Sequence, residues 1–125
     1  MTDRFGPADL ALLRDAQEVS IETRADADAP VHRTVIWVVV DREDRLLIRT
    51  YLGPGSRWYR EVLAQPDCRL QVGDRVLEVR AAPAGDDDRV AAYNEELLRK
   101  YARSRSTPFM LVDEVLPTTL ELLPR

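Results

Sequence analysis

Residues 33–40, Arg33-Thr34-Val35-Ile36-Trp37-Val38-Val39-Val40, are almost wholly β-branched or aromatic. Branching at Cβ stiffens χ1 and suits a pleated strand better than a helix. An apolar run without polar alternation is expected of a strand covered on both faces. The segment therefore predicts a central, doubly buried strand. Its apolar part, Val35 to Val40, is far shorter than the roughly 20 residues a membrane helix needs.

The flanking segments supply partners for such a strand. Residues 17–24 alternate Val19, Ile21 and Thr23 against Ser20, Glu22 and Arg24, the pattern of a half-buried strand. Asp41-Arg42-Glu43-Asp44 reads as a turn into a strand over 45–52, making a hairpin with 33–40. A second hairpin is expected from 68–72 and 75–82 around Gly73-Asp74, and a last strand within 118–123. Helices are expected at 7–15, where Pro7 suits the first turn, at about 56–65, ended by Pro66, and at 86–103, capped by Asp86. On the third helix Val90, Tyr93, Leu97 and Tyr101 form an apolar stripe with Leu98 beside it, and Glu95–Arg99 and Glu96–Lys100 are spaced as ion pairs. Six strands with few helices predict a small, closed or nearly closed antiparallel barrel. At 125 residues one domain is expected, with 1–16 as an N-terminal helical segment and 17–124 as the barrel.

Composition narrows the function classes. Net charge is −4, against the basic excess of a general nucleic-acid binder. Cys68 and His32 are the only residues of their types, so no intrachain disulfide and no cysteine- or histidine-rich metal site is expected. The N-terminus lacks a signal-type apolar stretch, which predicts a cytosolic protein. Asp86-Asp87-Asp88 reads as a helix start rather than a metal cluster, because acidic side chains there oppose the positive end of the helix dipole.

The segment with chemical potential is Gly53-Pro54-Gly55-Ser56-Arg57-Trp58. Glycines allow close approach to the main chain, and the following helix begins with backbone N–H groups that have no intrahelical acceptor. Ser56 adds a hydroxyl, Arg57 a permanent cation, and Arg49 stands one strand earlier. Together they suit a phosphate monoester. The competing reading is a plain strand–turn–helix connection, with Ser56 as the helix cap, Trp58 in the core and both arginines in solvent.

Arg33 to Val39, then Ile48-Arg49-Thr50-Tyr51, then Gly53 to Tyr59, then Ala64-Gln65-Pro66, resemble in order and spacing the flavin-binding split-barrel superfamily. That group holds the pyridoxamine-phosphate-oxidase-like proteins and the deazaflavin-dependent nitroreductases. Tyr93, Lys100-Tyr101 and Leu116 to Thr119 resemble an uncharacterised branch of it, a domain of unknown function. The resemblance implies a six-stranded antiparallel split β-barrel that forms a homodimer with the cofactor in a groove at the subunit interface. It implies that Arg33, Thr34, Val35, Ile36 and Trp37 run under the isoalloxazine ring. Arg49, Thr50, Ser56 and Arg57 would hold the phosphate, and Trp58 would wall the site or pack beneath the helix.

The expected function is an oxidoreductase that passes hydride from a reductant through FMN, or a deazaflavin, to a small acceptor. A non-catalytic module for a flavin or haem, and a barrel without cofactor, are the alternatives. Lys100, the only lysine, either reaches the cofactor or pairs with Glu96 in solvent. His32 is either a proton donor near the ring or a polar surface residue. Tyr51 either stacks on the ring or supplies a proton there, or packs in the core, and Cys68 is expected buried and inert. No catalytic acid, base or nucleophile is assigned.

Overall fold

The computed structural model describes residues 4–125. Its elements, in order, are α1 (Pro7–Asp15), β1 (Val19–Thr23), β2 (His32–Ile36), β3 (Val38–Val40), β4 (Leu46–Ile48), α2 (Arg57–Ala64), β5 (Asp67–Val72), β6 (Arg75–Pro83), α3 (Asp87–Lys100) and β7 (Leu120–Pro124). Two short 3-10 turns, Thr107–Met110 and Leu116–Thr118, lie between α3 and β7. All strand pairs are antiparallel, in the order β2-β1-β5-β6-β7-β4-β3.

That order corrects the reading of 33–40 as one central strand. Only Trp37 separates β2 from β3, yet these two strands form opposite edges of the sheet. Consecutive residues can reach both edges only if the sheet curls until its ends meet. The strand count is accordingly seven rather than six, and the architecture is a curled, split antiparallel barrel. Burial divides at the same residue. Val38, Val39 and Val40 are buried on both faces, whereas Arg33 and Val35 on β2 are exposed.

The barrel interior holds Ile21, Ile36, Val38, Ile48, Leu70, Val79 and Leu122. Side chains alternate across a strand, so Val39 and Leu47 face outward, where they meet Tyr93, Leu97 and Tyr101 of the α3 segment and Met110. The expected stripe on α3 is thus the seal of a second core, although Leu98 is exposed. Asp86 caps this helix by accepting from Arg89 N at 3.1 Å. Asp88 pairs with Arg45 at 3.0 Å, so the aspartate run is structural. Helix α2 crosses the barrel mouth with Trp58 and Val62 buried. Among the described residues no helix is long and apolar enough to cross a membrane, and no cluster of acidic, histidine or cysteine side chains has metal-site geometry.

Candidate functional site

A cleft of about 350 Å³ opens where the barrel splits. One wall is β2 and its exit, Thr34 to Trp37. The facing wall is the chain leaving β4, Arg49 to Leu52, with Trp58 of α2. Glu18, Ser106 and Met110 complete the rim. Because β2 is an edge strand, one side of its backbone has no ladder partner. A strand edge offers unpaired N–H and C=O groups, here turned towards a cavity of ligand size. Thr34 Oγ1 is buried and makes no hydrogen bond. An orphaned hydroxyl is costly, and this one belongs to a residue on the cleft wall.

Arg49 departs from its expected role. Its side chain is 1% exposed and turns away from the glycine loop. Nε donates to Thr119 Oγ1 at 2.9 Å, one Nη to Asn94 Oδ1 and the Met110 carbonyl at 2.7 Å each, and the other to the Val90 carbonyl at 3.4 Å. Most of its five donors are committed to protein acceptors, so the side chain ties the cleft floor to α3 instead of presenting a fork to a ligand. No carboxylate pairs with it among the described residues. Burial lowers its pKa to about 10, a sign of a cation whose charge is left largely uncompensated.

The loop itself is organised by two buried hydroxyls. Thr50 Oγ1 donates to Ser56 Oγ at 3.0 Å and accepts from Leu52 N at 3.2 Å. Gly53 has φ +87°, a left-handed conformation that only glycine adopts without strain. Its carbonyl accepts from Ser56 N at 3.2 Å. Ser56 stands at the helix N-cap but its side chain caps nothing, so the first N–H groups of α2 stay free of it. Arg57 is exposed and forms no ion pair among the described residues. Trp58 lines the cleft and is buried in the core cluster. Tyr51 is not a core residue. It is exposed on the cleft rim.

Three further expectations are corrected. Arg33 sends its guanidinium to Glu22 at 2.8 Å on the outer face and is not among the residues that line the cleft. Lys100 does not reach the cleft and does not pair with Glu96. It lies on a separate groove of about 400 Å³ and donates to the Leu13 carbonyl at 3.1 Å and the Val38 carbonyl at 2.8 Å, while Glu96 pairs with Arg99. Burial lowers its pKa to about 8. His32 is not a free surface residue: its Nδ1 lies 2.9 Å from Glu61 Oε2. Cys68 is buried, and burial pushes its thiol up to about 12, as befits an inert side chain. Sequence reasoning did not place Glu18, Leu52, Ser106 or Met110 at the site. Trp37 stacks on Tyr101 with ring centroids 4.0 Å apart, which fixes its ring on the cleft wall.

A curled antiparallel sheet, split beside an edge strand and roofed by a helix, is the pyridoxamine-phosphate-oxidase-like split barrel. Solved structures agree. The heme storage protein HutZ from Vibrio cholerae matches with a TM-score of 0.65 at 12% identity, covering 98% of this chain and 91% of that one. An F420-H2 dependent reductase, FDR-A, matches at 0.64 and 16% identity over 86% and 93%. Atu2129 from Agrobacterium tumefaciens, a protein of unknown function, matches at 0.70 and 10% identity; the chain is covered over 98% but spans only 58% of that protein. These likenesses concern the fold. No curated protein matches the sequence. Residues 9–122 match the model of the family described as uncharacterized protein conserved in bacteria (DUF2255), and the chain belongs to that family.

Proposed function

We propose that the chain is a flavin-type oxidoreductase that binds FMN, or a deazaflavin, in the cleft between β2 and α2 of a homodimer. The observation that carries this reading is the orphaned Thr34 Oγ1 on a free strand edge. A planar heterocycle with donors and acceptors along one rim would satisfy both that hydroxyl and the unpaired backbone groups. Trp37 and Trp58 supply flat apolar walls. Arg49 lines the cleft floor as a buried cation held by protein acceptors. Ser56, the free N–H groups of α2 and Arg57 suit a phosphate.

The bound group supplies the hydride chemistry. The protein's part is to bind, orient and exclude water. Val35, Tyr51 and Leu52 leave 59%, 58% and 67% of their surfaces exposed around the cleft. Apolar surface gathered around a site in this way is what a second subunit would cover.

Arg57→Ala tests the phosphate grip, because the side chain is exposed and forms no hydrogen bond or ion pair among the described residues. The variant should melt within a degree or two of the parent and lose binding of both FMN and the deazaflavin. Undiminished binding would move the phosphate elsewhere.

A further inference from the structure

The two walls of the cleft are joined at their far ends by a polar link. Glu61 projects from α2 and is 8% exposed. Its Oε1 accepts from Thr23 Oγ1 of β1 at 2.8 Å, and its Oε2 lies 2.9 Å from Nδ1 of His32, the first residue of β2. His32 is two residues before Thr34, and Glu61 is one helical turn after Trp58. Both elements that bound the cleft therefore converge on one carboxylate. Besides this link, β2 is held by its ladder to β1, by the Arg33–Glu22 pair and by the packing of Ile36 in the barrel.

The charged groups around this pair are committed elsewhere or turned to solvent. Glu22 and Arg33 flank Thr23 and His32 on their strands, but lie on the opposite face and pair with each other at 2.8 Å. Arg24 donates to the Ala27 carbonyl; on β5, Asp67 pairs with Arg80, Arg69 pairs with Glu78, and Cys68 is a buried thiol. On α2, Arg57 and Arg60 are exposed. That leaves the imidazole as the one cationic partner available to the buried carboxylate among the described residues.

We propose that His32 and Glu61 form a pH-responsive latch that positions β2 against α2 and so tunes ligand affinity in the cleft. This rests on the flavin reading of that cleft. With the imidazole protonated, the contact is an ion pair between a cation and a mostly buried carboxylate. With it neutral, only a single N–H donor remains. Imidazoles make that change between about pH 5 and 8, and the charge-assisted bond is the stronger. Raising the pH loosens β2, and the cleft loses its preformed width. His32 is a positioning residue, since nothing places it against the ligand.

The test has two arms, run on the parent protein, His32→Asn and Glu61→Gln at pH 5.5 and 8.5. Asparagine keeps a neutral donor near the Nδ1 position and cannot titrate. The first arm needs no ligand: amide-exchange protection of residues 33–37, corrected for intrinsic exchange rates. It should fall about fivefold in the parent as pH rises, the low end of coupling between linked sites, and stay flat in both variants. The second arm is the Kd for FMN, which should weaken by a similar factor in the parent alone. Parent-like pH dependence of exchange in His32→Asn would overturn the latch. Exchange that follows His32 with an FMN affinity that ignores it would overturn the coupling and leave the flavin reading intact. An absence of FMN binding at either pH would count against the flavin reading, while the exchange arm still decides the latch.

Discussion

The guanidinium carbon of Arg49 sits 4.1 Å from the centroid of the Tyr93 ring, inside the wall between the cleft and α3. Both side chains are almost fully buried, and the Tyr93 hydroxyl makes no hydrogen bond. A desolvated cation gains from an aromatic face. Here the face, four hydrogen bonds and the helix it belongs to stand in for a missing carboxylate.

Removing Arg49 should therefore cost stability first. Arg49→Met would leave Thr119, Asn94 and two carbonyls short of a donor, at about 1–3 kcal/mol for a buried group left unsatisfied. Partial relaxation should hold the total to about 3 kcal/mol. Arg49→Lys should rescue little, because an ammonium cannot reproduce the planar fork. Urea denaturation of the three proteins checks this. A loss below about 1 kcal/mol for the methionine variant would contradict the cage.

Lys100 predicts a pH effect of definite sign. Its folded pKa, about 8, lies below the ordinary lysine value of 10.5, because burial disfavours the ammonium. The unfolded chain then binds more protons between those two values, so this residue's contribution to stability rises as pH rises from about 8 to 10.5. The parent should gain on Lys100→Met across pH 8 to 10. Melting temperatures at pH 7.5, 8.5 and 9.5 test it. A parent-minus-variant difference that stays constant or falls as pH rises would mean that the amine keeps its charge.

The two loop glycines should respond oppositely to alanine. Gly53 has φ +87° with open space around the missing Cβ, so Gly53→Ala carries backbone strain alone, about 1–2 kcal/mol. Gly55 has equal space and no positive φ, so Gly55→Ala should be neutral or stabilise by up to about 1 kcal/mol through the unfolded chain. Thermal melts decide it. Destabilisation by both would show that the loop packs against something further.

Much of the barrel was legible because its elements are local. The Gly73-Asp74 hairpin, the Asp86 cap and the α3 stripe each follow from spacing within a few residues. The break at Trp37 was not, since a strand that passes from one sheet edge to the other has the same β-branched composition as one that does not. Thr34 to Trp37, Thr50 and Trp58, which line the cleft, are pointed to in the sequence only through the family resemblance, because no local periodicity singles them out. Ser106 and Met110 were missed because the 3-10 turn that brings them to the rim has no periodicity. The directions of Arg49 and Lys100 were misread for one reason: helix and strand spacing says which face a side chain takes, not what the rest of the chain has put there.

The proposed flavin-type group would lie in the cleft against the free edge of β2. Titrating the purified protein with FMN and with a deazaflavin, following flavin fluorescence and melting temperature, tests it most directly. Saturable binding of at least one is expected, with a gain of about 2.7 kcal/mol in stability at a hundredfold excess over Kd and about tenfold weaker binding by Thr34→Val, which deletes the orphaned hydroxyl. No change in fluorescence or melting with either ligand at millimolar concentration would contradict it.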